Sequence, residues 1–115
     1  MGRVEEHYER GLALKQEGRF EEAEVEFRAA VEIDCEHAEA HRQLGLVLGF
    51  SGMFDEAVEA LLVAVRLDAG NLGARNDLAL TYCMLGMCEE AKAEFEAVLT
   101  ADPDNEVAKK NLVYF

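Results

Sequence analysis

The residues with most chemistry to offer crowd one short stretch, where Cys35, Glu36 and His37 are followed by His41. Two histidines four apart can share a metal ion, and a nearby thiolate would add a third ligand. Here the spacing sets His37 in a turn and His41 on the helix that follows, and a fourth ligand is missing. Surface roles are expected for these residues, and no metal site. Cys83 and Cys88 stand five apart rather than at the two-residue interval of redox motifs. Cys88 is expected to be buried in a slot otherwise filled by an aromatic ring. The acid pairs Glu21-Glu22, Asp55-Glu56 and Glu89-Glu90 could suggest paired carboxylates, yet each opens a helical stretch, where negative charge suits the helix dipole. The glycines form no phosphate-binding loop, because they lie far apart along the chain. No nucleophile, base and orienting group assemble, so the reading is of a protein that is not an enzyme and needs no cofactor.

Those glycines lead to the elements that hold everything else. Gly18, Gly52 and Gly86 are separated by 34 residues, and many other columns keep that interval. Glu22, Glu56 and Glu90 form one; Ala23, Ala57 and Ala91 the next; then come Phe27, Leu61 and Phe95, Ala30, Ala64 and Val98, and Asp34, Asp68 and Asp102. Gly11, Gly45 and Ala79 share another, as do Leu12, Leu46, Leu80 and Tyr114. A fixed period of this size marks stacked supersecondary units, none of which can bury its apolar face alone.

Each column has a physical use. A glycine that takes the left-handed conformation ends the first helix of a hairpin. An alanine four residues before a large apolar residue places a small and a bulky contact on one helical face. The column Gly11, Gly45 and Ala79 allows close approach of the first helix. Asp34, Asp68 and Asp102 precede short turns, and Asp102-Pro103-Asp104-Asn105 announces a new helix. Apolar residues recur at three and four spacing throughout, as in Val58, Leu61, Leu62 and Val65. Helices are therefore expected near 3–16, 20–33, 38–50, 55–67, 72–84 and 89–101, with a last piece from about 105. The fold is all-α, one domain over 1–115, with repeats at 4–37, 38–71 and 72–105 and a partial capping helix at 106–115.

Composition narrows the partners. Of 115 residues, 24 are acidic and 11 basic, a formal charge of −13 that repels phosphate backbones and anionic lipid. Neither nucleic acid nor membrane is expected as a partner. No apolar run approaches the ~18 residues of a membrane span. The first residues meet acids at once and do not read as a signal peptide. Gly2 could invite myristoylation, but Glu6 stands where that motif wants Ser or Thr. Three cysteines without disulfide density fit a reducing cytoplasm.

The columns Leu44-Gly45, Tyr82, Gly18/Gly52/Gly86, Ala23/Ala57/Ala91, Phe27/Phe95, Ala30/Ala64 and Pro103 together resemble the tetratricopeptide repeat, over about residues 4–105. There are departures. His7, His41 and Arg75 stand where the family often has Trp, Cys35 and Ala69 replace a proline, and Cys88 falls where Phe20 and Phe54 are aromatic. The resemblance implies a superhelical α-α solenoid of three antiparallel helix-turn-helix units whose concave face is lined by the first helix of each. It implies a protein-interaction module or adaptor that holds a peptide or helix of a partner protein.

On that face the resemblance places Tyr8, Leu12 and Lys15 from the first unit and Arg42, Leu46 and Phe50 from the second. The third contributes Asn76, Leu80, Cys83 and Met84. The strip Leu12–Leu46–Leu80 forms the floor, and Arg42 and Asn76 orient the ligand. A competing reading packs these leucines inside the hairpins. Family members that hold acidic peptide ends use Lys, Asn and Arg on this face, whereas the matching positions here are Tyr8, Leu12, Gln43, Gly73 and Asp77, so that activity does not carry over. The apolar end Leu112-Val113-Tyr114-Phe115 leaves further alternatives: excision from a longer protein, a short natural cap, or a seam with a second copy in a homodimer or scaffold.

Overall fold

A computed structural model describes residues 3–115; Gly2, and with it the myristoylation question, lies outside the described residues. The described residues form seven helices: α1 (Arg3–Gln16), α2 (Phe20–Ile33), α3 (Ala38–Phe50), α4 (Phe54–Leu67), α5 (Leu72–Met84), α6 (Cys88–Ala101) and α7 (Glu106–Leu112). Consecutive helices pack on one another along an elongated body of 42 × 25 × 21 Å. This is the all-α repeat solenoid that the period requires, closed by the short α7. Helices α4 and α6 each begin one residue earlier than the pattern predicts, because Met53 and Met87, not the residues after them, take the non-helical entry conformation.

The three turn glycines have φ of 78°, 82° and 74° at Gly18, Gly52 and Gly86. Each lets the next N–H reach back five residues: Arg19 N to Leu14 O at 2.9 Å, Met53 N to Leu48 O at 2.8 Å and Met87 N to Tyr82 O at 2.9 Å. These bonds satisfy carbonyls that the helix end would otherwise leave unpaired. The other turns use side chains. His37, Asn71 and Asn105 cap α3, α5 and α7 by accepting from the amides of Ala40, Ala74 and Ala108 at 3.0, 3.0 and 3.1 Å. Ahead of two of them, Asp34 and Asp102 accept from the amides of Glu36 and Asp104 within the turn.

Inside each hairpin the small-against-large columns meet. A methyl group added at Gly11 would lie 2.5 Å from Phe27 Cε1, and one at Gly45 would lie 2.6 Å from Leu61 Cγ. The third hairpin carries a real methyl there, with Ala79 packed in one core cluster with Phe95. Phe27, Leu61 and Phe95 are all fully buried, as are Ala23, Ala57 and Ala91. Where the family often has Trp, polar pairs tie first to second helices: His7 Nδ1 meets Glu26 Oε1 at 2.7 Å, and Arg75 donates to Glu94 at 3.1 Å.

The aromatic slot at the start of each second helix is used differently from expectation. Phe20 is half-buried and stacks on Phe50 of the next hairpin, with centroids 5.0 Å apart. Cys88 is exposed. Its side chain is too short to bridge as Phe20 does.

Candidate functional site

Helices α1, α3 and α5 lie side by side and form one wall of the molecule. Between the C-terminal halves of α3 and α5 this wall opens into a groove of about 580 Å³. Leu46, Gly49 and Phe50 line it from α3, and Leu80, Cys83 and Met84 from α5. Gly49 opens space there, since nothing stands within 4 Å of the place its side chain would occupy. Phe50, Leu80 and Met84 are 59%, 39% and 65% exposed, large for side chains with no polar atom. Phe54 and Thr81 also reach the groove and were not picked out by sequence reasoning. Phe54 was legible as the counterpart of Phe20; Thr81 carries no columnar signal.

The leucine strip is graded. Leu12 is half-buried against the first core cluster, Leu46 is half-buried at the groove, and Leu80 is exposed. Leu12 is therefore packed into the fold, while Leu80 is the leucine of the strip left open to solvent. Cys83 borders the groove half-buried, and burial, then proximity to Cys88, pushes its thiol above the ordinary range.

A polar network occupies the adjoining part of the wall. Lys15 Nζ donates to Gln43 Oε1 at 2.6 Å, and Arg42 Nε donates to Asp77 Oδ2 at 2.7 Å. Glu39 Oε1 lies 3.5 Å from Arg42 Nη1 and 3.4 Å from Gln43 Nε2. Three hairpins are thereby joined through side chains alone. Gly73 makes room for the guanidinium, since a methyl group there would lie 2.8 Å from Arg42 Nη2. Burial raises the Asp77 carboxyl above its usual range, and Arg42 pulls it back only in part. Burial and the Arg42 charge lower the Lys15 ammonium. Tyr8 sits beyond the network, its ring 6.0 Å from Phe27 and 5.1 Å from His37, with its hydroxyl raised by burial and by Glu39.

Asn76 is the clear departure from expectation. It does not edge the groove but is buried, donating from Nδ2 to Asn105 Oδ1 at 3.1 Å. Its fixed partner is the residue that caps α7, so it belongs to the closing joint of the solenoid. The C-terminal residues divide as well. Leu112 packs on the third core cluster and Phe115 turns back toward Phe95, with centroids 6.4 Å apart, while Val113 and Tyr114 are 76% and 85% exposed. In the histidine stretch, His37 is committed to capping, and His41 Nε2 bonds the Cys35 carbonyl at 2.9 Å.

The sequence model of the tetratricopeptide repeat matches residues 50–112, and a second model of the same repeat matches residues 4–37. No curated protein sequence matches the chain. Solved structures do. The first tetratricopeptide repeat domain of Spaghetti (RPAP3) bound to the HSP90 peptide SRMEEVD superposes with a TM-score of 0.93 at 21% identity, over 97% of this chain and 89% of that one. The second such domain of human RPAP3, in complex with the HSP70 peptide SGPTIEEVD, gives 0.89 at 25% identity over 94% and 90%. The Arabidopsis OM64 domain gives 0.90 at 22% identity over 95% and 90%.

Proposed function

The chain belongs to the tetratricopeptide repeat family, and from that premise we propose that it is a non-enzymatic interaction module whose groove between α3 and α5 receives an apolar segment of a partner protein. The observation that carries this reading is the cluster of Phe50, Leu80 and Met84, exposed around a concavity of about 580 Å³. Exposed apolar surface of this kind marks an interface. Aromatic residues and methionine are enriched at such interfaces, and small grooves of this shape suit two or three anchoring side chains of a peptide or amphipathic helix. The peptide-bound solved structures support the same use of the fold. Repeats at 4–37, 38–71 and 72–105 and a cytoplasmic setting fit the turn glycines and the three unpaired cysteines. No helix among the described residues is long and apolar enough to cross a membrane.

The test is selection of a random peptide library on the immobilised protein. Selected peptides should carry two or three large apolar residues. They should lose binding to Leu80→Asp and to Leu46→Glu while both variants keep wild-type helix content. Undiminished binding to the folded variants would rule the groove out.

A second reading has its own observation, the exposed pair Val113 and Tyr114. Here the C-terminal end meets a second copy, giving a homodimer or scaffold. Sedimentation at rising concentration tests it: a constant monomer mass removes it, and a dimer abolished by Tyr114→Ser supports it.

A further inference from the structure

The network beside the groove is closed on itself. Two cations from neighbouring hairpins, Lys15 and Arg42, converge on a region where two carboxylates of the same chain already sit, Glu39 and Asp77. The shortest ion pair in that set is Arg42 with Asp77, at 2.7 Å, with both side chains largely screened from solvent. Gly73 lets the guanidinium lie against α5 in the position that Asp77 can grip. With the amide oxygen of Gln43 taking the Lys15 ammonium, the network carries two positive and two negative charges, so an incoming anion meets cations that carboxylates of the same chain already balance.

We infer that Asp77 is a specificity-determining residue of the groove: it acts as a built-in carboxylate, fills the anion position beside Arg42 and Lys15, and so turns away partner segments that present an acidic end. A carboxylate fixed in the same chain has an effective concentration that a peptide free in solution cannot match. A peptide acid that did arrive would either displace Asp77, leaving a half-buried charge unpaired, or stand beside it as a like charge. The partner chemistry that remains is an apolar segment that is neutral or basic where it passes the network. The inference rests on the groove reading and adds to it the sign of charge that the groove accepts.

The solved structures supply a probe of the rejected chemistry, the acidic heptapeptide SRMEEVD. Its comparison partner is the same peptide with Gln-Gln for Glu-Glu and an amidated Asn at the end. Fluorescence anisotropy at low ionic strength should show wild type binding SRMEEVD with a Kd weaker than about 1 mM and no better than the neutral peptide. Asp77→Asn, which keeps the shape of the side chain, should tighten SRMEEVD at least about tenfold while leaving the neutral peptide unchanged. The gain should fade as salt is raised. It should vanish in Asp77→Asn with Arg42→Gln. Asp77→Ser is made in parallel in case the first variant does not fold. On the wild type itself, the Arg42 Nε–H resonance should not move when SRMEEVD is titrated in. Wild type preferring the acidic peptide, a shift of that resonance, folded Asp77 variants that gain nothing, or a gain that survives loss of Arg42 would each overturn the inference. Failure of the groove reading looks different: library-selected peptides would then bind Leu80→Asp as well as wild type.

Discussion

The seam inside each hairpin and the wall formed by the first helices obey the same 34-residue period, yet they use it in opposite ways. Along the seam the residue type is nearly constant down each column: Gly11, Gly45 and Ala79 face Phe27, Leu61 and Phe95, all fully or almost fully buried. Along the wall the columns change character. Tyr8, Arg42 and Asn76 share one position, Gln16, Phe50 and Met84 another, and Lys15, Gly49 and Cys83 a third. The difference follows from what each surface touches. A seam meets the same neighbour in every hairpin, so one solution repeats. The wall meets solvent and whatever binds there, so its columns are free to differ, and individuality collects on it.

Two phenylalanines put this contrast to its strongest test. Phe27 is fully buried in a seam and Phe50 is 59% exposed on the wall. Phe27→Ala should lower unfolding free energy by about 3–5 kcal/mol, the range for truncating a buried aromatic ring. Phe50→Ala should lose about 1 kcal/mol, mainly the stacking on Phe20. Urea denaturation of both variants measures the pair. Equal losses would erase the distinction between the two regions.

The contrast also explains what could be read from the sequence. Helix positions, turn glycines and the Gly11–Phe27 and Gly45–Leu61 contacts were legible because the seam writes the same residue types at a fixed interval. Asn76 was not, because its partner Asn105 lies 29 residues further on and belongs to a different column, and nothing in either column announces the bond. The exposure of Cys88 was hidden for a related reason. Its slot is filled in the first hairpin by the contact of Phe20 with Phe50 of the next one, a reach that a side chain as short as that of Cys88 does not have. Phe54 and Thr81 at the groove, and the pairing of Arg42 with Asp77 across α3 and α5, depend on how two hairpins stack, which a repeat period alone does not specify.

Asn76 is a wall position that has gone over to the joint between hairpins, and a variant of its partner measures how far. Asn105→Ala removes the cap of α7 and leaves the buried Asn76 amide without a bonded partner. A lost cap costs about 1 kcal/mol and an unsatisfied buried polar group about 1–3 kcal/mol. The sum should appear as a loss of roughly 2–4 kcal/mol, with amide exchange in α7 rising first. Asn71→Ala, which loses only a cap, should stop near about 1 kcal/mol. Equal losses in the two variants would mean that Asn76 is energetically still a wall residue.

The smallest expected effect concerns the charge that the wall retains. Burial raises the Asp77 carboxyl more than Arg42 lowers it, so the folded protein holds that proton more tightly than the unfolded chain does. A carboxyl raised on folding opposes stability once it is ionised, and the penalty is relieved as pH falls through its folded titration range. Asp77→Asn has no such group, and its loss of a charged partner for Arg42 is the same at every pH in this range. The stability of wild type relative to Asp77→Asn should therefore rise on going from about pH 7 to about pH 4, read as the change in the gap between their urea midpoints. A gap that moves the other way would show that Arg42 outweighs the burial of Asp77. The network would then be a stabilising joint of the seam kind. If the gap moves as expected, the wall keeps a charged group whose burial opposes folding, as a surface shaped by recognition can and a surface shaped only by packing does not.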